Sequence, residues 1–165
     1  MRFRSTRSPT ATVSLSEALV AGLAPDGGLF VPTEMPRITE DLRGRTGVAS
    51  VATGLLAPFF AGDRLESALE AICFEALDLP VPLVELDANT WLMELFHGPS
   101  AAFKDFGARF LASALSRLQE GEDRPLTILV ATSGDTGGAV AAAFHGKPSV
   151  QVVVLYPEGR VSERQ

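Results

Sequence analysis

The stretch Leu126–Leu155, LTILVATSGDTGGAVAAAFHGKPSVQVVVL, decides how this chain folds. Its two ends, Leu126–Thr132 and Val150–Leu155, are nearly continuous in apolar and β-branched residues, the pattern of parallel strands covered by helices on both faces. Between them a glycine-bearing turn leads into a helical segment from about Thr136 to Phe144. His145 reads as a helix C-terminal residue complementing the dipole, with Gly146 as the cap. Strand, helix and strand in this order make a right-handed βαβ unit, so the chain is read as α/β with part of an open, mostly parallel sheet. Gln165 follows the second strand by only ten residues and no covering helix intervenes. The sheet is therefore expected to be incomplete, its open edge filled by a missing C-terminal half or by the mate in a homodimer.

Upstream the pattern is helical. Ser14 followed three residues later by Glu17 is a capping box, and the helix it opens stops at Gly22. Pro25-Asp26-Gly27-Gly28 reads as a turn and Leu29-Phe30-Val31 as a short strand. Asp63 with Glu66 repeats the capping logic for a helix through Leu77, with Leu65, Leu69, Ile72, Cys73 and Ala76 on one face. Pro80 and Pro82 mark a change to strand-like spacing, which sets two domains: a helical N-terminal segment over residues 1–79 and a sheet-bearing segment over 80–165. Within the latter, Leu83–Leu86 and Trp91–Phe96 predict a hairpin, and a helix follows from about Ala101 to Gln119.

The 165 residues carry 14 Lys plus Arg against 20 Asp plus Glu, a net charge of −6. Nucleic acid and anionic membranes are poor partners for such a surface. The longest uncharged run, Thr46 to Gly62, is too short to span a bilayer and reads as a buried helix and a turn. One cysteine and two histidines build neither a disulfide framework nor a Cys/His metal site, so no metal is expected and a reducing, cytoplasmic setting is the default.

Two places carry chemistry. The first is HGPSAAFKDFG, residues 97–107, where Ser100 is read as the N-cap of the following helix. On a helical wheel with Asp105 at zero, Asp105, Arg109, Ser113 and Ser116 share a polar arc, while Phe103, Phe110, Leu111, Ala114 and Leu115 fill the opposite one. Lys104 lands at about 260°, between Leu111 and Leu115, the one charged residue on the face meant for the core. Burial and the helix dipole both disfavour an ammonium there and favour a neutral amine nucleophile, as Schiff-base chemistry requires. The alternative is a lysine that snorkels out at the helix end. His97 reads as a hydrogen-bonded structural histidine or a ligand contact.

The second place is ATSGDTGG, residues 131–138, at the carboxyl end of a parallel strand, where open α/β sheets bind ligands. Backbone N–H groups left open by Gly134, Gly137 and Gly138, with the hydroxyls of Ser133 and Thr136, form an anion cradle for a carboxylate or phosphate. The alternative is a plain N-cap with glycines for close packing.

HGPSAAFKDFG, then ATSGDTGGAV, then VVVLYPEGRVSERQ resemble the threonine synthase family, pyridoxal-phosphate enzymes of the tryptophan synthase β-subunit fold. The N-terminal STR, SEALVAGLAPDGGLFVP and PLVEL segments resemble the start of that family, so the likeness runs over essentially the whole chain. The resemblance implies that Lys104 holds pyridoxal 5'-phosphate as a Schiff base and shuttles protons, and that Ser133, Gly134, Thr136 and Gly137 grip the substrate carboxylate. It implies conversion of O-phospho-L-homoserine and water to L-threonine and phosphate, the last step of threonine biosynthesis. Phosphate leaves the γ carbon and water adds at the β carbon. Asp135 stands where relatives of this fold carry an Asn that donates to the cofactor's phenolic oxygen. An ionised Asp cannot donate, which leaves a protonated donor, a turn former or a contact through water. Ser100 and Ala101 replace the family's frequent Thr and Leu. The loop for the cofactor phosphate and the partner of its pyridine nitrogen belong to a later part of the family's sequence, so the 165 residues alone are expected to be inactive. Two other readings stand beside this one: a non-catalytic relative that binds an anion at the 133–138 turn or a partner chain at its strand edge, and a phospho-amino-acid lyase using the same cofactor.

Overall fold

The structure, a computed structural model, describes residues 1–8, 10–38, 41–132 and 134–163. It divides into two compact units, Met1–Phe74 and Glu75–Gln165.

In the first unit, β1 (Phe3–Ser5) lies between β2 (Thr12–Val13) and β3 (Phe30–Pro32) in a small antiparallel sheet with Phe3 opposite both Val13 and Pro32. Phe3 and Ser5 are buried and Arg4 between them is exposed, the period-two pattern of a half-covered strand. Strand β3 is the short strand expected at Leu29–Val31, whereas β1 and β2 are additions to the expected helical segment, too short to be read from the sequence. Helix α1 (Leu15–Ala21) opens with the expected capping box, Glu17 N–H donating to Ser14 Oγ at 3.1 Å and Ser14 N–H to Glu17 Oε2 at 2.6 Å. It ends at Gly22, whose φ of 69° a residue with a Cβ adopts only at a cost. Helix α2 (Val48–Phe60) fills the uncharged run, with Pro58 inside its last turn.

A 3-10 turn (Glu66–Ala68) leads into α3 (Leu69–Ala76). The expected Asp63 and Glu66 capping is corrected: Leu65 is the N-cap of the 3-10 turn and has no side-chain cap, and the two carboxylates bond just ahead of it, Asp63 Oδ1 accepting Leu65 N–H at 3.0 Å and Glu66 Oε2 accepting Gly62 N–H at 2.8 Å. Asp63 also reaches the head of α1, where Oδ2 accepts Ser16 N–H at 3.0 Å and Oδ1 accepts the Ser16 hydroxyl. Leu65, Leu69, Ile72, Cys73 and Ala76 are all buried, so the predicted stripe is the core face.

In the second unit, β4 (Leu83–Asp87) and β5 (Thr90–Met93) form the expected antiparallel hairpin, Leu83 opposite Met93. Then follow α4 (Lys104–Leu118), β6 (Leu126–Ala131), α5 (Asp135–Phe144) and β7 (Val150–Leu155). Strands β6 and β7 pair in parallel from Leu126 opposite Val150 to Ala131 opposite Leu155, which is the α/β unit read from the sequence. Helix α5 covers one face of the pair, with Gly137 against Val154, and α4 packs on α5.

The expectation of strands covered on both faces is corrected. Burial alternates along both, and Thr127, Leu129, Ala131, Gln151, Val153 and Leu155 stand exposed on the second face. A continuous apolar run does not by itself say how many faces of a strand are covered. At the end of α5, His145 is the C-cap and Gly146 takes a φ of 74°.

Candidate active site

Helix α4 begins three residues later than its sequence signal. Phe103 is the N-cap, with no side-chain cap, and Ser100 is not a cap at all. Ser100 instead bonds forward to the first turn: its N–H donates to Asp105 Oδ2 at 3.0 Å and its hydroxyl to Asp105 Oδ1 at 2.8 Å. A carboxylate at the positive end of a helix is well placed to gather donors from the segment that precedes it. The turn it folds back is tight. A Cβ on Gly98 would overlap Asp105 Oδ2 and lie 2.8 Å from both Cβ and Cγ of that residue. Ala101 is held at a φ of 54°, a left-handed conformation that costs a non-glycine residue about 1 kcal/mol.

Lys104, the first residue of α4, is half-buried. Its Nζ lies 4.5 Å from the centroid of the Phe103 ring, within the range of a cation–π contact. It lines a cavity of about 390 Å³ whose other walls include Phe103, Phe106, Leu111, Thr136, Ala139 and Val140. The amine thus sits at an apolar cleft between α4 and the first two turns of α5.

The wheel misplaces the polar arc. Asp105 and Ser113 are each 1% exposed, as buried as Ala112 on the same helix, whereas Phe103 is 61% exposed. Hydrogen bonding makes this tolerable. Besides the Asp105 contacts, Ser113 Oγ donates to Glu75 Oε2 at 2.8 Å, and Arg109 Nε donates to the Ala76 carbonyl at 2.7 Å. Glu75 gathers Arg117 at 2.8 Å and Lys147 at 2.5 Å as well. Burial pushes the Glu75 carboxyl up, but hydrogen bonds from Lys147, Arg117 and Ser113 outweigh it and hold it at about 2. Three segments, the end of α3, α4 and the loop after α5, meet at that one carboxylate.

The glycine turn between β6 and α5 is organised by a residue outside the expected set. Thr132 Oγ1 accepts the N–H of Gly134 at 3.2 Å and of Gly137 at 3.3 Å. Two of the donors counted toward an anion cradle are therefore held by the chain's own hydroxyl. A Thr two residues before a Gly is the sequence signal for such a turn. Gly137 is needed for space: a Cβ there would overlap Thr132 Cγ2 and lie 3.0 Å from Val154 Cγ1. Ser133 lies outside the described residues.

Asp135 is exposed on the first turn of α5. With Gly134, Gly138, Ser162 and, opposite them, Pro99, Ser100 and Ala101, it lines a cavity of about 670 Å³. The structure thus brings Lys104 and Thr136 to one cleft, and Gly134 and Asp135 to a neighbouring one, around the same helix start. Gly137 and Gly134 also face a third cavity with Thr132, Tyr156 and Ser162. His97 Nε2 pairs with Glu94 Oε2 at 2.6 Å and its ring lies 4.8 Å from that of Phe96, a histidine held by its neighbours. Among the described residues no group of three or more His, Cys, Asp or Glu is arranged to hold a metal ion.

Fold and site define an α/β protein with an amine-bearing cleft at the meeting of two helix N-termini. Residues 2–77 match the family described as threonine synthase N terminus. The chain is 39% identical to the threonine synthase of Escherichia coli K12 and 40% identical to that of Haemophilus influenzae, each match covering 100% of this chain and 39% of the relative. Its structure superposes on the pyridoxal-phosphate-bound threonine synthase of Brucella melitensis with a TM-score of 0.87 at 40% identity, over 98% of this chain and 37% of that one. The Escherichia coli threonine synthase structure gives 0.85 at 37% identity, over 98% of this chain and 38% of that one. Over its whole length the chain is similar to the N-terminal portion of threonine synthases, the likeness the motifs indicated. It spans about two fifths of the length of the curated relatives it matches.

Proposed function

We propose that this chain serves a threonine synthase, a carbon–oxygen lyase that converts O-phospho-L-homoserine and water to L-threonine and phosphate with pyridoxal 5'-phosphate. In this reading residues 1–79 are the N-terminal subdomain and 80–165 the first part of the catalytic domain of a cytoplasmic biosynthetic enzyme. The observation that carries the proposal is Lys104: a primary amine at an apolar cleft, walled by Phe103 and Leu111 on one side and Thr136, Ala139 and Val140 on the other.

The residues present fit one side of the cofactor. An amine is the group that binds an aldehyde, and aromatic and aliphatic walls suit a planar ring. When bound, the cofactor supplies an electron sink that acidifies the substrate carbons. The chain's own residues do the rest. Lys104 would anchor the cofactor, and its Nζ would take and return the substrate's protons. Gly134, Thr136 and Gly137, with Ser133, hold the substrate carboxylate at the start of α5, where backbone N–H groups and the dipole favour an anion. Because Thr132 Oγ1 already accepts from Gly134 and Gly137, the carboxylate shares those donors or displaces the hydroxyl. Asp135, exposed and lining the cavity of about 670 Å³, is assigned to the cofactor.

The test uses the full gene product. With pyridoxal phosphate and O-phospho-L-homoserine it releases phosphate and threonine in equal amounts, and Lys104→Ala abolishes both. Formation of a keto acid and ammonia in place of threonine identifies the lyase reading. Phosphohomoserine binding without turnover identifies the non-catalytic one.

A further inference from the structure

Asp105 is spent in an unusual way. It is 1% exposed, and among the described residues its side-chain hydrogen bonds go to one, the uncharged Ser100. A carboxylate removed from water this completely is costly, and an apolar side chain would fill the volume at less expense. The return is the shape of residues 98–101. Both carboxylate oxygens are used to fold Ser100 back, Gly98 is pressed against the carboxylate with no room for a Cβ, and Ala101 is kept left-handed. The segment so fixed is one wall of the cavity of about 670 Å³, and the opposite wall is the start of α5, with Gly134, Asp135 and Gly138. The two walls come close: a Cβ on Gly138 would lie 4.0 Å from Ser100 Cβ.

We propose that Asp105 is a positioning residue for the substrate pocket: through Ser100 it sets the gap between the Pro99–Ala101 wall and the first turn of α5. The inference rests on the reading of that turn as the substrate carboxylate site. Asp105 acts on the width of the pocket, and Lys104, in the adjoining cleft, is left in place. Its loss therefore weakens substrate binding while leaving attachment of the cofactor intact.

The experiment compares the full gene product with Asp105→Asn, Ser100→Ala and the double variant. Asp105→Asn keeps the volume and one acceptor oxygen, so the fold survives, as circular dichroism and the unfolding midpoint will show. For Asp105→Asn the KM for O-phospho-L-homoserine rises about tenfold or more while kcat changes far less, as expected when a wall is misplaced and the reacting groups are not. Borohydride trapping of pyridoxal phosphate on Lys104 proceeds as in the unaltered protein. Because Asp105 acts through Ser100, the KM of the double variant is no higher than that of the worse single variant. An unchanged KM in Asp105→Asn, additive effects in the double variant, or a fall in kcat and in Lys104 trapping parallel to the rise in KM overturns the proposal while the functional reading stands. If the unaltered protein traps no cofactor on Lys104 and does not turn over O-phospho-L-homoserine, the functional reading fails and the proposal falls with it.

Discussion

Asp105 holds Ser100 with both carboxylate oxygens, one on the backbone N–H at 3.0 Å and the other on the hydroxyl at 2.8 Å, across a turn that has no room for a side chain at Gly98. The Gly98→Ala variant follows directly. Its methyl group would overlap Asp105 Oδ2, so either the carboxylate leaves Ser100 or the turn opens. A loss of roughly 1–3 kcal/mol, typical of overpacking, is expected in urea unfolding of the full gene product. A midpoint equal to that of the unaltered protein contradicts the packing described.

Thr132 and Gly137 form a second coupled pair. Gly137→Ala drives a methyl into Thr132 Cγ2 and is expected to cost roughly 1–3 kcal/mol. Thr132→Ser removes that methyl but keeps the oxygen that accepts from Gly134 and Gly137, so in the serine background Gly137→Ala costs less. A double-mutant cycle reads the difference as a coupling energy of at least ~0.5 kcal/mol. Strict additivity would show that the two residues do not compete for space.

Glu75 gives the acid limb of the stability curve. Its carboxyl sits at about 2 in the folded protein against an ordinary 4.5. A depressed folded value means that the contribution is fully present above pH 4.5 and is lost as pH falls from there toward 2. The side chain is 40% exposed, so after solvent screening the amount is on the order of 1 kcal/mol. Glu75→Gln should therefore lower stability at pH 7 and flatten its pH dependence between 4.5 and 2. An acid limb as steep as that of the unaltered protein places the protonation elsewhere.

Asp63 joins the head of α1 to the turn before α3, taking Ser16 N–H, the Ser16 hydroxyl and Leu65 N–H. Asp63→Ala leaves those donors without their acceptor and is expected to cost roughly 1–3 kcal/mol. Asp63→Asn keeps an acceptor oxygen and costs less. Equal losses in the two variants would show that packing, not the hydrogen bonds, is what the side chain provides.

Much of this was legible in the sequence because local rules and tertiary packing agree there. The Ser14 and Glu17 capping box, the stripe from Leu65 to Ala76 and the parallel pair β6 and β7 depend on spacing that survives in the folded state. The failures share one cause. The wheel sorts α4 into polar and apolar arcs as if water lay on the polar side, but Asp105 and Ser113 are buried and satisfied by Ser100 and Glu75. Those partners lie five and 38 residues away along the chain, and only the fold brings the more distant one within reach. For the same reason Ser100 reads as a cap in sequence but donates to Asp105 in the structure. The role of Thr132 was within reach, since a hydroxyl two residues before a glycine is a turn signal. The helical period put Lys104 on the apolar face of α4 but left a snorkelling lysine equally open, and the cleft around it is set by α5, which no wheel of α4 contains.

The chain has two lysines, Lys104 and Lys147, and Lys147 is tied to Glu75 at 2.5 Å. Borohydride reduction of the full gene product with pyridoxal phosphate, followed by peptide mass mapping, therefore asks one question of this chain. The account predicts a single stoichiometric phosphopyridoxyl label on Lys104 within these 165 residues, absent in Lys104→Ala. A label on Lys147 instead, or an unlabelled Lys104 in protein that is folded and saturated with the cofactor, would contradict it.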